Sequence, residues 1–285
     1  MSQKSVFIVG GSSGIGYGLA LEFAERGWKV YAGSRSVRKM APLKDKGIHV
    51  VYLDITDQES INVAKELIER ENSGRLDVLY LNAGVAKDGP LLDIPMDDIE
   101  SSFRTNVFGP IRVIKTFQYI LLENQAAVAF TSSLVIHTSL PFRFAYAATK
   151  TSFDILARML SMECGDLGIK VINIRTGAVE SDIWSPPLIP GKDSVYYTGT
   201  DEPLGAFEPS KMATDVYCVK AVSVVERALR KKAVYTQVYR GAGTFFGYLL
   251  GMLPFRAYRR IVIKITNLAE PFRIARERIF KEKQF

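Results

Sequence analysis

SVFIVGGSSGIGYGLALEFAERG, residues Ser5–Gly27, is the stretch on which the fold turns. Ser5–Val9 is a short apolar run with strand character, and Ile15–Arg26 carries helical spacing. Between them stands Gly10-Gly11-Ser12-Ser13-Gly14-Ile15-Gly16. A strand that runs through glycines into a helix opens a βα unit, so Ser5–Val9 is not a secretory leader. The spacing is G-x-x-x-G-x-G rather than the general G-x-G-x-x-G dinucleotide pattern. Glycines permit a tight turn and close backbone approach, and the helix start presents N–H groups and a positive dipole end to a pyrophosphate. Gly10, Ser12, Ser13, Gly14, Ile15 and Gly16 are the candidate phosphate-binding residues.

The same rhythm continues along the chain. Strands are expected at Lys29–Ala32, His49–Leu53, Val78–Leu81, Ala127–Thr131, Lys170–Arg175 and Val234–Tyr239. Helices are expected at Gln58–Glu71, Asp97–Leu122, Tyr146–Cys164 and Lys211–Arg230, with Thr56 and Glu59 at capping-box spacing before Gln58–Glu71. Wholly apolar strands alternating with helices predict a doubly wound α/β fold around a parallel sheet, a single Rossmann-type domain over residues 1–239. Residues 181–209, rich in proline, glycine and aromatics, form a small substrate lobe, and 240–285 a C-terminal apolar-basic tail.

Composition excludes several classes. The chain has 285 residues, 47% hydrophobic, which rules out disorder, and only two cysteines, Cys164 and Cys218, which rules out a disulfide scaffold and suits a reducing compartment. The net charge of +7 is not spread over the fold. Residues 240–285 hold ten Lys/Arg and three Glu, which accounts for all of it; the preceding part has 27 of each sign. That distribution argues against a nucleic-acid partner. No run reaches the roughly 20 apolar residues a spanning helix needs. Gly241–Phe255 is uncharged, though, and is followed by Arg256, Arg259 and Arg260, a pattern that suits peripheral or monotopic membrane contact. A helix covering the substrate cleft or an interface is the alternative. No metal-ligand pattern is present.

A dinucleotide site usually carries an acid at the end of the second strand for the ribose hydroxyls. Here Ser34 and Arg35 stand there. A guanidinium holds a 2′-phosphate that an acid would repel, so the expected cofactor is NADP(H), with Arg38 as a second cation.

Tyr146 and Lys150 lie one helical turn apart, Ser133 follows an apolar strand, Asn82-Ala83-Gly84 follows another, and Asn106 lies in the Asp97–Leu122 segment. As a set, with the glycine loop, they resemble the short-chain dehydrogenase/reductase family over about residues 5–239. The resemblance implies a catalytic tetrad of Asn106, Ser133, Tyr146 and Lys150. It also implies cofactor contacts from Asp54 and Ile55 (adenine side), Asn82, Ala83 and Gly84, and from Gly177, Val179 and Ser181 at the nicotinamide end. A free phenol titrates near 10; Lys150 and the nicotinamide would draw Tyr146 down, making it the proton donor in reduction, while Ser133 polarises the carbonyl. Three departures stand out. Val9 replaces a threonine and removes a hydroxyl that supports the loop, Leu81 replaces an asparagine, and Thr176 replaces a proline, which should loosen its turn.

Within the family, Phe103–Gly109, Asn173–Val179 and Val238–Gly241 resemble the branch of NADPH-dependent 1-acyldihydroxyacetone-phosphate reductases, alongside steroid and retinoid enzymes. This implies a lipophilic carbonyl substrate, membrane association at the cytosolic face of the endoplasmic reticulum or on lipid droplets (a soluble cytoplasmic enzyme being the alternative), and a homo-oligomer. Trp184, Tyr196, Tyr197 and Phe207 are candidates to line the mouth, Arg143 and Lys192 to meet a substrate phosphate, and His137 to face the pocket. Two rivals remain open: a non-catalytic NADP(H) sensor, and a lipid hydrolase. The latter reads Gly10-Gly11-Ser12-Ser13-Gly14 as a G-x-S-x-G elbow, for which only His49 and His137 could serve as base.

Overall fold

The computed structural model describes residues 3–181, 183, 188–205 and 209–281. Seven strands, β1 Ser5–Val9, β2 Lys29–Ser34, β3 His49–Tyr52, β4 Val78–Leu81, β5 Ala127–Ser133, β6 Lys170–Thr176 and β7 Tyr235–Arg240, form one sheet in the order β3-β2-β1-β4-β5-β6-β7. Every neighbouring pair is parallel. The chain winds outward from β1 to β3, then returns to set β4 on the other side of β1. That reversal opens a crevice beyond the carboxyl ends of β1 and β4, where the glycine loop lies.

The helices are α1 Gly14–Glu25, α2 Val37–Lys44, α3 Gln58–Asn72, α4 Met96–Phe103, α5 Gly109–Glu123, α6 Phe144–Cys164, α7 Thr214–Arg230, α8 Thr244–Gly251, α9 Phe255–Ile265 and α10 Ala269–Lys281. Both faces of the sheet are covered. Val6 and Ile8 of β1 pack with Leu19 and Phe23 of α1 and Tyr217 and Val222 of α7. Phe7 and Val9 point the other way, onto Ile61 of α3, Phe117 of α5 and Phe153 of α6. Because alternate residues of one strand enter two different cores, the strand reads as continuously apolar. Each such side chain contributes about 1.5–3 kcal/mol by leaving water.

Two local expectations are corrected, and one helix is added. The Asp97–Leu122 stretch is not one regular helix: α4 and α5 are joined by a π-helical turn, Arg104–Phe108. Pro110 has no N–H, so the carbonyl of Asn106 lacks its α-helical donor, and Gly109 N–H reaches back five residues to Arg104 instead. The Thr56–Glu59 capping box does not form. Asp57 is the N-cap, accepting from Glu59 N–H at 3.1 Å, while the Thr56 hydroxyl donates to Asp54 Oδ1 at 2.7 Å. Helix α2 was hidden in the sequence by Pro42 within it, and Met40 and Leu43 are its buried anchors. Both thiols are free, Cys218 buried and Cys164 half-buried.

Beyond β7 the tail folds back as α8, α9 and α10. Leu250, Tyr258 and Val262 form a small core of their own with Leu140 and Ile261. The outer side of α8 and the start of α9 stay exposed, with Phe245 at 75%, Met252 at 67% and Phe255 at 71%. No helix among the described residues is long and apolar enough to cross a membrane.

Candidate active site

The floor of the site is built by the glycine loop. Gly10 has φ +94°, and a Cβ there would lie 2.7 Å from the Ala83 backbone. A Cβ on Gly16 would lie 1.9 Å from the Gly10 carbonyl oxygen and 2.6 Å from the Asn82 amide nitrogen. No larger residue fits either position. Asn82 closes this knot: its amide donates to Gly10 O at 3.1 Å and accepts from the Thr131 hydroxyl at 3.0 Å. Val9 is fully in the core, and the loop's support comes from backbone bonds instead, Gly10 and Gly11 N–H to Gly33 O at 2.8 and 3.1 Å. Leu81 is likewise buried.

A cleft of about 410 Å³ opens above this floor. Of the sequence-predicted cofactor residues, Gly10, Ser12, Ser13, Gly14, Ile15, Ser34, Arg35, Asp54, Ile55, Asn82, Ala83, Gly84, Gly177, Val179 and Ser181 all line it. Gly16 lies just beneath. Arg35 is exposed at its rim, whereas Arg38 does not border the cleft. The first turn of α1 has no side-chain cap and no acid, leaving its N–H groups and dipole to whatever occupies the loop. Crowded glycine backbone, an uncapped helix start and a rim arginine together fit a dinucleotide.

Ser133, Tyr146 and Lys150 border the same cleft. Ser133 ends β5; its hydroxyl accepts from Val135 N–H at 3.2 Å and is a near neighbour of the Tyr146 phenol. The Lys150 ammonium is 4% exposed and donates to Thr131 O at 3.0 Å; burial draws it down to about 8. Burial pushes the Tyr146 phenol up, opposed by the neighbouring Ser133 hydroxyl and the charge of Arg143. Lys150 is not among the groups that oppose this rise: its ammonium sits 5.9 Å from the ring centre and donates to Thr131 O.

Asn106 is brought to the same place but does not border the cleft. The π turn directs its side chain inward, where it exchanges two 2.8 Å bonds with the Val85 backbone and donates to Thr149 Oγ1 at 3.0 Å. Thr149 in turn bonds Tyr146 O at 2.8 Å. The amide thus ties the segment after β4 to α6, one residue from Lys150. Thr149, fully buried, is a supporting residue that sequence reading missed.

Thr176 does not loosen the turn after β6. It extends the strand, and its hydroxyl pairs with Tyr217 of α7 at 2.6 Å. Gly177 is required there for a different reason, since a Cβ would lie 2.2 Å from Ala242 O of the tail.

The roof was also missed. Leu134, Leu140, Ile183, Phe246, Leu250 and Ile265 line the outer end of the cleft, half of them from the tail. Gly247 and Gly251 seat α8 on the turn that follows Ser133: Cβ atoms there would lie 2.5 Å from Leu134 Cδ2 and 2.3 Å from His137 O. The four-residue spacing of these glycines was the available signal. Of the proposed lobe residues, Trp184 and Phe207 lie outside the described residues. Tyr196 packs on Phe142 and Phe272, and Tyr197 receives Arg278 at its carbonyl, so neither lines the cleft. Lys192 borders a separate hollow. His137 faces Tyr239, at 2.9 Å, rather than the pocket. His49 pairs with Glu71 at 2.7 Å, so neither imidazole stands beside Ser12 as a hydrolase would need.

The short chain dehydrogenase profile matches residues 4–187, and the chain belongs to that family of oxidoreductases. Among its relatives is the NADPH-dependent 1-acyldihydroxyacetone phosphate reductase of Schizosaccharomyces pombe, 33% identical over 204 residues, 69% of each chain. The short-chain dehydrogenase ptmH of Penicillium ochrochloron is 30% identical over 276 residues, 94% of this chain and all of that one. In fold, it is similar to a short-chain dehydrogenase from Streptomyces avermitilis, with TM-score 0.72 and 23% identity over 94% of this chain and 99% of that one.

Proposed function

We propose that the protein is an NADPH-dependent reductase of lipophilic ketones, with 1-acyldihydroxyacetone phosphate, reduced to 1-acylglycerol 3-phosphate, as the first substrate to try. The observation that carries this is that Ser133, Tyr146 and Lys150 border one cleft, between a nucleotide-fitting floor and an apolar roof. The name of the Schizosaccharomyces pombe relative supports both cofactor and substrate. Steroid, retinoid and other ketones are alternatives that the apolar roof would also admit.

NADPH, when bound, supplies the hydride that reaches the carbonyl carbon. The residues of the chain do the rest. Gly10, Ser12, Ser13, Gly14, Ile15 and Gly16 hold the pyrophosphate, Arg35 the 2′-phosphate beside Ser34, and Asp54 and Ile55 flank the adenine. Asn82, Ala83 and Gly84 support the middle of the cofactor, and Gly177, Val179 and Ser181 its nicotinamide end. The Ser133 hydroxyl donates to the carbonyl oxygen as negative charge grows there, and the Tyr146 phenol delivers the proton. Lys150 holds the nicotinamide ribose; Asn106 fixes the spacing of the Val85 segment and α6.

Membrane contact through residues 241–285 is the second part of the reading. The exposed Phe245, Met252 and Phe255 lie beside Arg256, Arg259 and Arg260, an apolar face with cations at its edge that suits an anionic bilayer surface. This would place the enzyme on the cytosolic face of the endoplasmic reticulum or on a lipid droplet. Removing the whole tail would unroof the cleft, so the test is the triple change of Phe245, Met252 and Phe255 to Glu, which should abolish flotation with anionic vesicles while the cleft stays closed.

For the reaction, NADPH oxidation is measured with acyldihydroxyacetone phosphate, a steroid, retinal and small ketones, with NADH as control. Turnover of a lipophilic ketone that Tyr146→Phe abolishes, with NADPH binding kept, is expected. Turnover of none, or turnover that persists in Tyr146→Phe, would overturn the assignment.

A further inference from the structure

The chain bends sharply just before Tyr146. Phe142 has φ 68°, the left-handed region, where a bulky aromatic residue is a true outlier and strained. Three elements hold it there. Its carbonyl accepts from Gly89 N–H at 2.7 Å, and its ring meets Tyr196 edge-on at 5.5 Å and Phe272 of α10 at 6.1 Å. The bend delivers Arg143, the residue before α6, to the edge of the cleft.

Three cations line the cleft among the described residues: Arg35, Arg143 and Lys150. Arg35 follows β2, and the ammonium of Lys150 is engaged with Thr131 O. Arg143 stands three residues before Tyr146, and its charge reaches the phenol. Its side chain is 25% exposed, and its guanidinium lies 3.4 Å from the Asp88 carboxylate. The same cleft is lined by the apolar side chains of Leu134, Leu140, Leu250 and Ile265.

From this we infer that Arg143 is the binding site for the phosphate monoester head of an amphiphilic ketone, whose chain lies along the apolar roof, with Asp88 as the counter-ion that the phosphate displaces. A guanidinium held at the cleft edge by a strained turn is placed for a forked, charge-assisted grip on phosphate oxygens. Asp88 keeps the charge compensated before the substrate arrives, at the cost of competing with it. The inference rests on the reductase reading above, and deepens it by assigning the polar end of the substrate.

The test is calorimetric and needs no turnover. NADP⁺-loaded protein is titrated with 1-acylglycerol 3-phosphate, with 1-monoacylglycerol and with a fatty acid of the same chain length. Wild type should bind the phosphate at least tenfold more tightly than either of the others. Arg143→Gln should remove that preference, Arg143→Lys should restore part of it, and Asp88→Asn should tighten phosphate binding severalfold. Thermal melts and NADPH affinity control for folding; should Arg143→Gln fail to fold, Asp88→Asn decides. Equal affinity for phosphate and monoacylglycerol in wild type, a preference untouched by Arg143→Gln, or unchanged phosphate affinity in Asp88→Asn overturns the site. Fatty acid binding as tight as phosphate overturns the phosphate assignment. Failure of the reductase reading would show separately, as no NADPH oxidation with any ketone.

Discussion

Replacing Lys150 with methionine should make the cofactor-free protein more stable while removing its activity. The ammonium is almost wholly buried, with Thr131 O as its hydrogen-bond acceptor, and dehydration draws it from 10.5 to about 8. That drop corresponds to roughly 3 kcal/mol of penalty for the charged form in the native state. Methionine fills the space of the stem without the charge, but gives up the bond to Thr131, worth about 1 kcal/mol. A net gain of roughly 2 kcal/mol is expected at pH 7. Between pH 8 and 10.5 the native lysine has shed its proton while the unfolded chain keeps it. The unfolded state then binds more protons, so wild-type stability rises with pH through that window. The advantage of Lys150→Met should therefore shrink above pH 8 and turn into a deficit of about 1 kcal/mol near pH 10.5. Urea unfolding of both proteins without cofactor, at intervals from pH 7 to 10.5, measures the gap directly. A variant less stable than wild type at pH 7, or a gap that stays flat across the window, would refute the reasoning.

Arg35→Ala should raise the NADPH Kd by roughly tenfold to a hundredfold and leave NADH within about twofold, in fluorescence titration, because only the 2′-phosphate loses its partner; equal losses for both cofactors would remove Arg35 from that role. Gly16→Ala should weaken NADPH binding by a hundredfold or more, since a Cβ 1.9 Å from Gly10 O forces the loop to move by over about an ångström. The same titration checks it, and wild-type affinity would count against the knot of Gly10, Gly16 and Asn82.

The parts of the fold legible in the sequence were those fixed by local pattern. Strands such as β1 and β5 announced themselves because burial on two faces leaves no polar alternation to confuse with a helix. The cleft residues were legible because glycine geometry, a Tyr146–Lys150 turn and Ser133 at a strand end are constraints written at fixed spacing. What stayed hidden depends on contacts between distant segments. Nothing near Gly247 says that it meets Leu134, and nothing near Phe142 says that Phe272 will hold it in a strained turn. Thr176 looked like a loss of rigidity until Tyr217, far along the chain, supplied its partner. Pro110 was in plain view, yet its effect on the register at Asn106 needed the bond from Gly109 to be seen.

The roof raises a question of timing. Synthesis runs from the N-terminus, and the residues that floor the cleft, Gly10 to Ser181, are all made before Phe246, Leu250 and Ile265, which cover it. A nascent chain thus carries most of a nucleotide site while its greasy hollow is still open. Helices made after the floor are the ones that close that hollow, so a premature stop near residue 240 would yield a protein with a floor for its cofactor and an exposed apolar wound, which is prey for chaperones and proteases rather than a slower enzyme.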